Sequence, residues 1–204
     1  MRNALILVTG MCLLSVSTFA GDVVVAPTVG YGFGGATGRM CQNLPSAFAC
    51  EATQLNIGGS VAWTFGRFGI EEEVNASPDL LGTSLKGGPV LRSNSVTSAM
   101  TNVMFRQRIG KVEPYAVVGA GALHVHIGPD ELTSVSPGGT TSVTKIPGQT
   151  GFGYDAGVGT TGWLSGHVGF RVDYRYYREH SYFIGNPDTP VSFSRVSTGP
   201  VFRF

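Results

Sequence analysis

From Val23 to Phe204 apolar and polar residues alternate with a period of two, in runs broken by glycine, proline and small polar residues. That period sends successive side chains to opposite faces of an extended chain, so it predicts strands. Eight are predicted: Val23–Gly34, Thr53–Phe65, Phe68–Ala76, Ser95–Ile109, Glu113–Ile127, Thr150–Trp163, His167–His180 and Val191–Phe204. The seventh shows both faces clearly, with Val168, Phe170, Val172, Tyr174 and Tyr176 on one side and Gly169, Arg171, Asp173, Arg175 and Tyr177 on the other. The connections alternate in length. Residues 35–52, 77–94, 128–149 and 181–190 are long, whereas Gly66-Arg67, Gly110-Lys111-Val112 and Leu164-Ser165-Gly166 are short. An all-β, eight-stranded antiparallel up-and-down barrel follows, with its long loops at one end and its tight turns at the other.

Alternation leaves open which face is inside. In a soluble lipocalin-like barrel the apolar set lines a cavity and the charges meet water, whereas a barrel in lipid inverts the arrangement. The even strand count and the one-sided distribution of long loops favour the inverted, transmembrane form. So does the gathering of Trp63, Phe65, Phe68, Phe105, Tyr115, Phe202 and Phe204 toward the short-turn end. Aromatic rings there would settle at the headgroup level. The predicted strands meet or exceed the roughly 9–11 residues a tilted strand needs to cross the hydrocarbon, so several would project past the leaflet on the loop side.

The first residues read as a secretory leader: Arg2 is followed by apolar Ala4–Val8 and Met11–Leu14, and Thr18-Phe19-Ala20 offers a cleavage site. The expected division is a signal peptide over 1–20 and a barrel over 21–204. A lipoprotein would acylate Cys12, but Thr9-Gly10-Met11 fits a lipobox poorly. Without Arg2 the 14 basic side chains become 13, against 13 acidic ones. No basic field therefore exists to recruit nucleic acid. Charge is sparse at 13% and the 30 glycines follow no collagen period. Such a composition suits closely packed strands. In an oxidising compartment Cys41 and Cys50 read as a disulfide pinning the first loop, with two separate thiols as the alternative.

The sequences Gly151-Phe152-Gly153-Tyr154-Asp155-Ala156-Gly157-Val158-Gly159 and Gly169-Phe170-Arg171-Val172-Asp173-Tyr174-Arg175-Tyr176, together with the alternating final run, resemble the small outer-membrane β-barrels of the OmpA, OmpX and opacity-protein kind. Phe204, with Phe202 two residues before it, resembles the assembly signal of such barrels. The resemblance implies insertion by the outer-membrane assembly machinery, with both termini periplasmic and outer-membrane lipid and lipopolysaccharide as surroundings. It implies no particular activity, because fold and function separate.

With apolar residues outward, the lumen is expected to receive Glu71, Glu73, Arg106, Arg108, Asp155, Arg171, Asp173 and Arg175. Eight strands enclose a space that side chains just fill, so these charges are expected to pair as a plug, with a narrow conduction path as the alternative. Two features strain the pattern. Glu72 lies on the lipid face between Ile70 and Val74, and Pro27 and Pro200 occupy the first and last strands. A lipid-facing acid is unfavourable, and each proline removes a ladder donor and predicts a weak seam. His124 and His126 share a face at a spacing that could reach one metal, yet no third ligand is evident, so no metal or other cofactor is expected. Glu179-His180-Ser181 is the compact grouping a lipid A-modifying enzyme would need, but neighbours on a strand point apart and no catalytic residue is assigned. The expected role is structural or adhesion-like, with an extracellular ligand met through the loops.

Overall fold

The computed structural model describes residues 21–34, 50–51, 54–78, 80, 83–84, 94–127, 131–135, 141–145, 148–180 and 191–204. The predicted leader 1–20 and Cys41 lie outside them, and Cys50 is described by its backbone alone, so the expected disulfide falls outside as well. Eight strands close into one barrel: β1 (Asp22–Phe33), β2 (Leu55–Phe65), β3 (Phe68–Pro78), β4 (Asn94–Arg106), β5 (Val112–Ile127), β6 (Gln149–Trp163), β7 (Val168–Glu179) and β8 (Ser192–Arg203). Each pairs antiparallel with its neighbours in the chain, and β8 returns to β1. Two short ladders lie among the long connections. Cys50–Glu51 pairs with Thr83–Ser84, and Glu131–Val135 pairs with Thr141–Lys145.

The apolar face points outward. Val103 and Val118 are 59% and 61% exposed, whereas Glu71, Asp155, Arg175 and Arg195 are all 0% exposed. In water this would be an inside-out protein; in a bilayer it removes the valines from solvent and leaves the charges to each other.

One predicted strand ends early. β4 stops at Arg106 rather than Ile109, because the residue across from Gln107 is Pro114. The Gln107 amide donates to the Pro114 carbonyl at 3.0 Å. Proline has no N–H to return the bond. A turn follows, with Gly110 at a φ of 63°.

The β8–β1 seam is closed but interrupted. Val24 and Val25 pair with Arg203 and Phe202, the ladder then lapses, and it resumes at Val29 opposite Thr198. The same register sets Pro27 against Pro200, and neither can donate, which explains the gap. Gly199 allows the close approach there, since a Cβ on it would collide with the Pro27 carbonyl oxygen. The seam ends with Phe204, whose amide donates to Val23 O at 2.8 Å while Val23 N donates back at 3.2 Å.

Candidate functional site

The barrel order places β3 and β7 on opposite walls, four strands apart in either direction. Inward-facing Glu71 and Glu73 come from one and Arg171, Asp173 and Arg175 from the other, at the two-residue spacing of a shared face. An eight-stranded lumen is narrow enough for an arginine to span. Arg175 does so: Nη2 lies 2.6 Å from Glu71 Oε2, Nη1 3.2 Å from Glu73 Oε2 and 3.5 Å from Asp155 Oδ2, and Nε 3.4 Å from Asp173 Oδ2. Arg171 donates to the other Glu71 oxygen at 2.7 Å and to Ser60 Oγ at 2.9 Å.

Arg195 on β8 completes the layer, with Nη2 2.5 Å from Glu73 Oε1 and 3.9 Å from Asp173 Oδ1. Neutral donors take up remaining carboxylate oxygens. Tyr177 donates to Glu73 at 2.8 Å, Tyr115 to Asp173 at 3.1 Å, and Ser197 to Asp173. Asn102, with its amide nitrogen toward Asp155 Oδ1 at 2.6 Å, places its oxygen 2.9 Å from Arg175 Nη1. The aromatic rings also lie under the guanidiniums, Tyr115 4.7 Å from Arg171 and Tyr177 5.1 Å from Arg195. Both are close enough for cation–π attraction. Glycine on β6 makes the room, for a Cβ at Gly159 would run into the Tyr115 hydroxyl.

Apolar side chains cover this layer on both sides. Toward the long loops lie Leu80, Val96, Met100, Leu123, Val191 and Phe193, and toward the short turns Val24, Ala26, Ala62, Met104, Trp163 and Val201. Charges in such surroundings survive only when paired and hydrogen-bonded. At the short-turn mouth a second, smaller cluster forms. Glu113 binds Arg106 at 3.0 Å and Arg203 at 3.3 Å, Asp22 stands 4.0 and 3.6 Å from the same two arginines, and Arg203 stacks over Trp163 at 3.7 Å.

The structure therefore brings Glu71, Glu73, Asp155, Arg171, Asp173 and Arg175 together, sets Arg106 apart at the mouth, and leaves Arg108 out. Expecting Arg108 in the lumen is an error of strand length, because the chain curls beyond the donor that Pro114 lacks. Exposed Arg108 donates instead to the Gly110 carbonyl at 3.3 Å. Tyr115 is also corrected. It faces inward at 6% exposure and does not join the outer aromatics, where Phe68 and Phe105 pack edge to face at 5.6 Å.

Arg195, Glu113, Tyr115, Tyr177 and Asn102 are lumen residues that the charge pattern alone does not single out. A signal for Arg195 is present in the sequence, since outward Phe202 fixes the parity of β8 and turns odd-numbered residues inward. Glu72 faces outward, accepting from the Thr101 hydroxyl at 3.0 Å. His124 faces outward near the long-loop end, its Nδ1 2.8 Å from Thr150 Oγ1, and His126 is half-buried. Among the described residues no three His, Cys, Asp or Glu gather to hold a metal. Glu179 points in and His180 out, while Ser181 lies outside the described residues.

Solved structures align with the chain over most of its length. Neisserial surface protein A aligns over 90% of this chain and 99% of its own, with a TM-score of 0.57 and 12% identity. Ail, the attachment invasion locus protein of Yersinia pestis, in complex with the heparin analogue sucrose octasulfate, aligns over 91% of this chain and 100% of its own, at TM-score 0.47 and 13% identity. The outer membrane protein OprG from Pseudomonas aeruginosa aligns over 91% of this chain and 96% of its own, at TM-score 0.47 and 11% identity. No curated protein matches the chain in sequence. At 12% identity the likeness to Neisserial surface protein A concerns the fold alone. Residues 6–204 match the outer membrane protein beta-barrel domain, and with a closed, outward-apolar barrel of eight strands the chain belongs to that family of the bacterial outer membrane.

Proposed function

We propose that the protein is a sealed outer-membrane scaffold whose role is structural or surface-interactive, exercised through the long connections at one end of the barrel. One observation carries the reading: the lumen is crossed by a layer in which Arg175 touches four carboxylates, with apolar side chains packed above and below it. A continuous aqueous path would have to break those pairs, at a cost of several kcal/mol each. With conduction closed off, the loops are the surface left for contact with an extracellular ligand. The five-residue ladder of Glu131–Val135 with Thr141–Lys145 gives one of them a firm stem.

In this reading residues 1–20 are a leader removed on export, both ends of the barrel lie in the periplasm with the short turns, and Phe202 and Phe204 address the chain to the assembly machinery. The outer-facing valines and aromatics meet outer-membrane lipids and lipopolysaccharide. No catalytic residue is assigned, since Glu179 and His180 diverge as strand neighbours do. Single-channel recording in planar bilayers tests the central point. The expected result is no steady conductance above that of the empty bilayer; a reproducible open level would overturn the sealed-lumen reading.

A further inference from the structure

At the short-turn mouth the barrel holds a cavity of about 260 Å³ whose wall includes Arg67, Arg106, Arg108 and Arg203 together with Asp22 and Glu113. The two acids are committed to Arg106 and Arg203. Among the described residues Arg67 has no side-chain acceptor, and Arg108 reaches only the Gly110 carbonyl at 3.3 Å. Four guanidiniums against two carboxylates leave two positive charges without partners, on the two short turns that flank the cavity.

The rest of the wall is held in place. Arg106 Nε donates to the Gly66 carbonyl at 3.1 Å, and Arg203 lies over Trp163, its buried Nε 3.6 Å from Asp22 Oδ2 and beyond hydrogen-bond reach of it. Desolvated arginines held in place beside exposed ones form a basic recess, since the fixed pair supplies donors at no ordering cost and the exposed pair can close over an anion. A balanced structural cluster would have matched its charges, as the central layer nearly does.

We propose that this mouth is a binding site for a phosphate-class oxyanion. Phosphate suits it better than a lone carboxylate, because its oxygens diverge enough to meet separate guanidinium forks and its negative charge, one in a phosphodiester and up to two in free phosphate, opposes the surplus. The volume admits one phosphate with part of its carrier. That carrier is either none, as in inorganic phosphate, or the headgroup of an anionic phospholipid, for the cavity lies beside Arg67, whose chain neighbours Phe65 and Phe68 point outward to the bilayer. Access from the periplasm rests on the orientation proposed above, but binding by the purified barrel does not, so the two can fail separately.

The test uses protein purified from the outer membrane in a phosphate-free maltoside detergent, titrated calorimetrically with inorganic phosphate at constant ionic strength. A parallel arm compares nanodiscs of phosphatidylcholine with and without phosphatidylglycerol, reading lipid retained by the protein. Saturable phosphate binding that weakens at least tenfold in the Arg67→Gln/Arg108→Gln variant, and is unchanged in Arg178→Gln, supports the site with free phosphate as ligand. Selective retention of phosphatidylglycerol, lost in the same double variant, supports it with the headgroup as ligand. No saturable binding in either arm, or equal binding by wild type and the double variant, overturns it. Heat-modifiable gel migration establishes that each variant is folded.

Discussion

Replacing Arg175 by methionine removes the residue on which the central layer converges, and its cost can be reasoned partner by partner. Glu71 keeps Arg171 at 2.7 Å, Glu73 keeps Arg195 at 2.5 Å and Tyr177 at 2.8 Å, and Asp173 keeps Tyr115 and Ser197. Among the described residues Asp155 keeps Asn102 alone. The variant thus strands one carboxylate above all, and that carboxylate is fully buried. Removing one partner of a buried pair costs about 3–5 kcal/mol. With a urea dependence of roughly 1–3 kcal/mol per molar, the unfolding midpoint in lipid vesicles should fall by about 1–5 M. Trp163, directed inward near the layer, makes intrinsic fluorescence a suitable readout. If Asp155 bears most of the loss, adding Asp155→Asn to the Arg175→Met variant should restore about 1–3 kcal/mol, a coupling expected of residues in one network. A midpoint shift below about 0.5 M, or a second substitution that lowers stability further, would refute the reasoning.

Other outcomes follow from single contacts. Gly199→Ala sets a Cβ against the Pro27 carbonyl. It should destabilise by about 1–3 kcal/mol through overpacking at the seam, seen as a lowered urea midpoint. Glu72→Leu removes a lipid-facing acid whose described polar contact is the Thr101 hydroxyl. It should stabilise the barrel in vesicles by up to about 2 kcal/mol; a loss would show that the carboxyl has a positive role. Deleting Phe204 removes both hydrogen bonds to Val23 and should slow insertion more than any substitution in residues 131–145, measured by heat-modifiable migration after refolding into vesicles. Arg108→Gln changes an exposed turn residue bonded, among the described residues, to the Gly110 carbonyl alone. Its effect on stability should stay below about 0.5 kcal/mol in the same urea titration.

The barrel is legible because strand periodicity and loop length are local signals that read the same way along the whole chain. With Phe170, Val172 and Tyr174 outward, the inward positions of Arg171, Asp173 and Arg175 follow from parity without any knowledge of contacts. Strand ends are harder. The surroundings of Arg108 depend on Pro114, a residue on the partner strand whose register no local pattern reveals. Tyr115 escapes for a related reason: an aromatic near a turn suits a headgroup girdle and a lumen equally, and only the inward parity of β5 with Glu113 and Val117 separates them. Which carboxylate each guanidinium meets lies beyond reach, since that depends on the shear that sets β3 across from β7.

The opposed prolines of the first and last strands bear on how the chain avoids its own copies. Until the cylinder is complete, both strands are free borders, and a free border invites pairing with whatever strand arrives. A residue without an amide hydrogen discourages such recruitment at its position, yet two of them at different heights would damage the finished join twice. Set face to face, Pro27 and Pro200 share a single lapse, and the pairs from Val29 to Phe33 and at Val24 and Val25 are left whole. The arrangement guards two borders against strangers while asking the closed cylinder to tolerate one flaw.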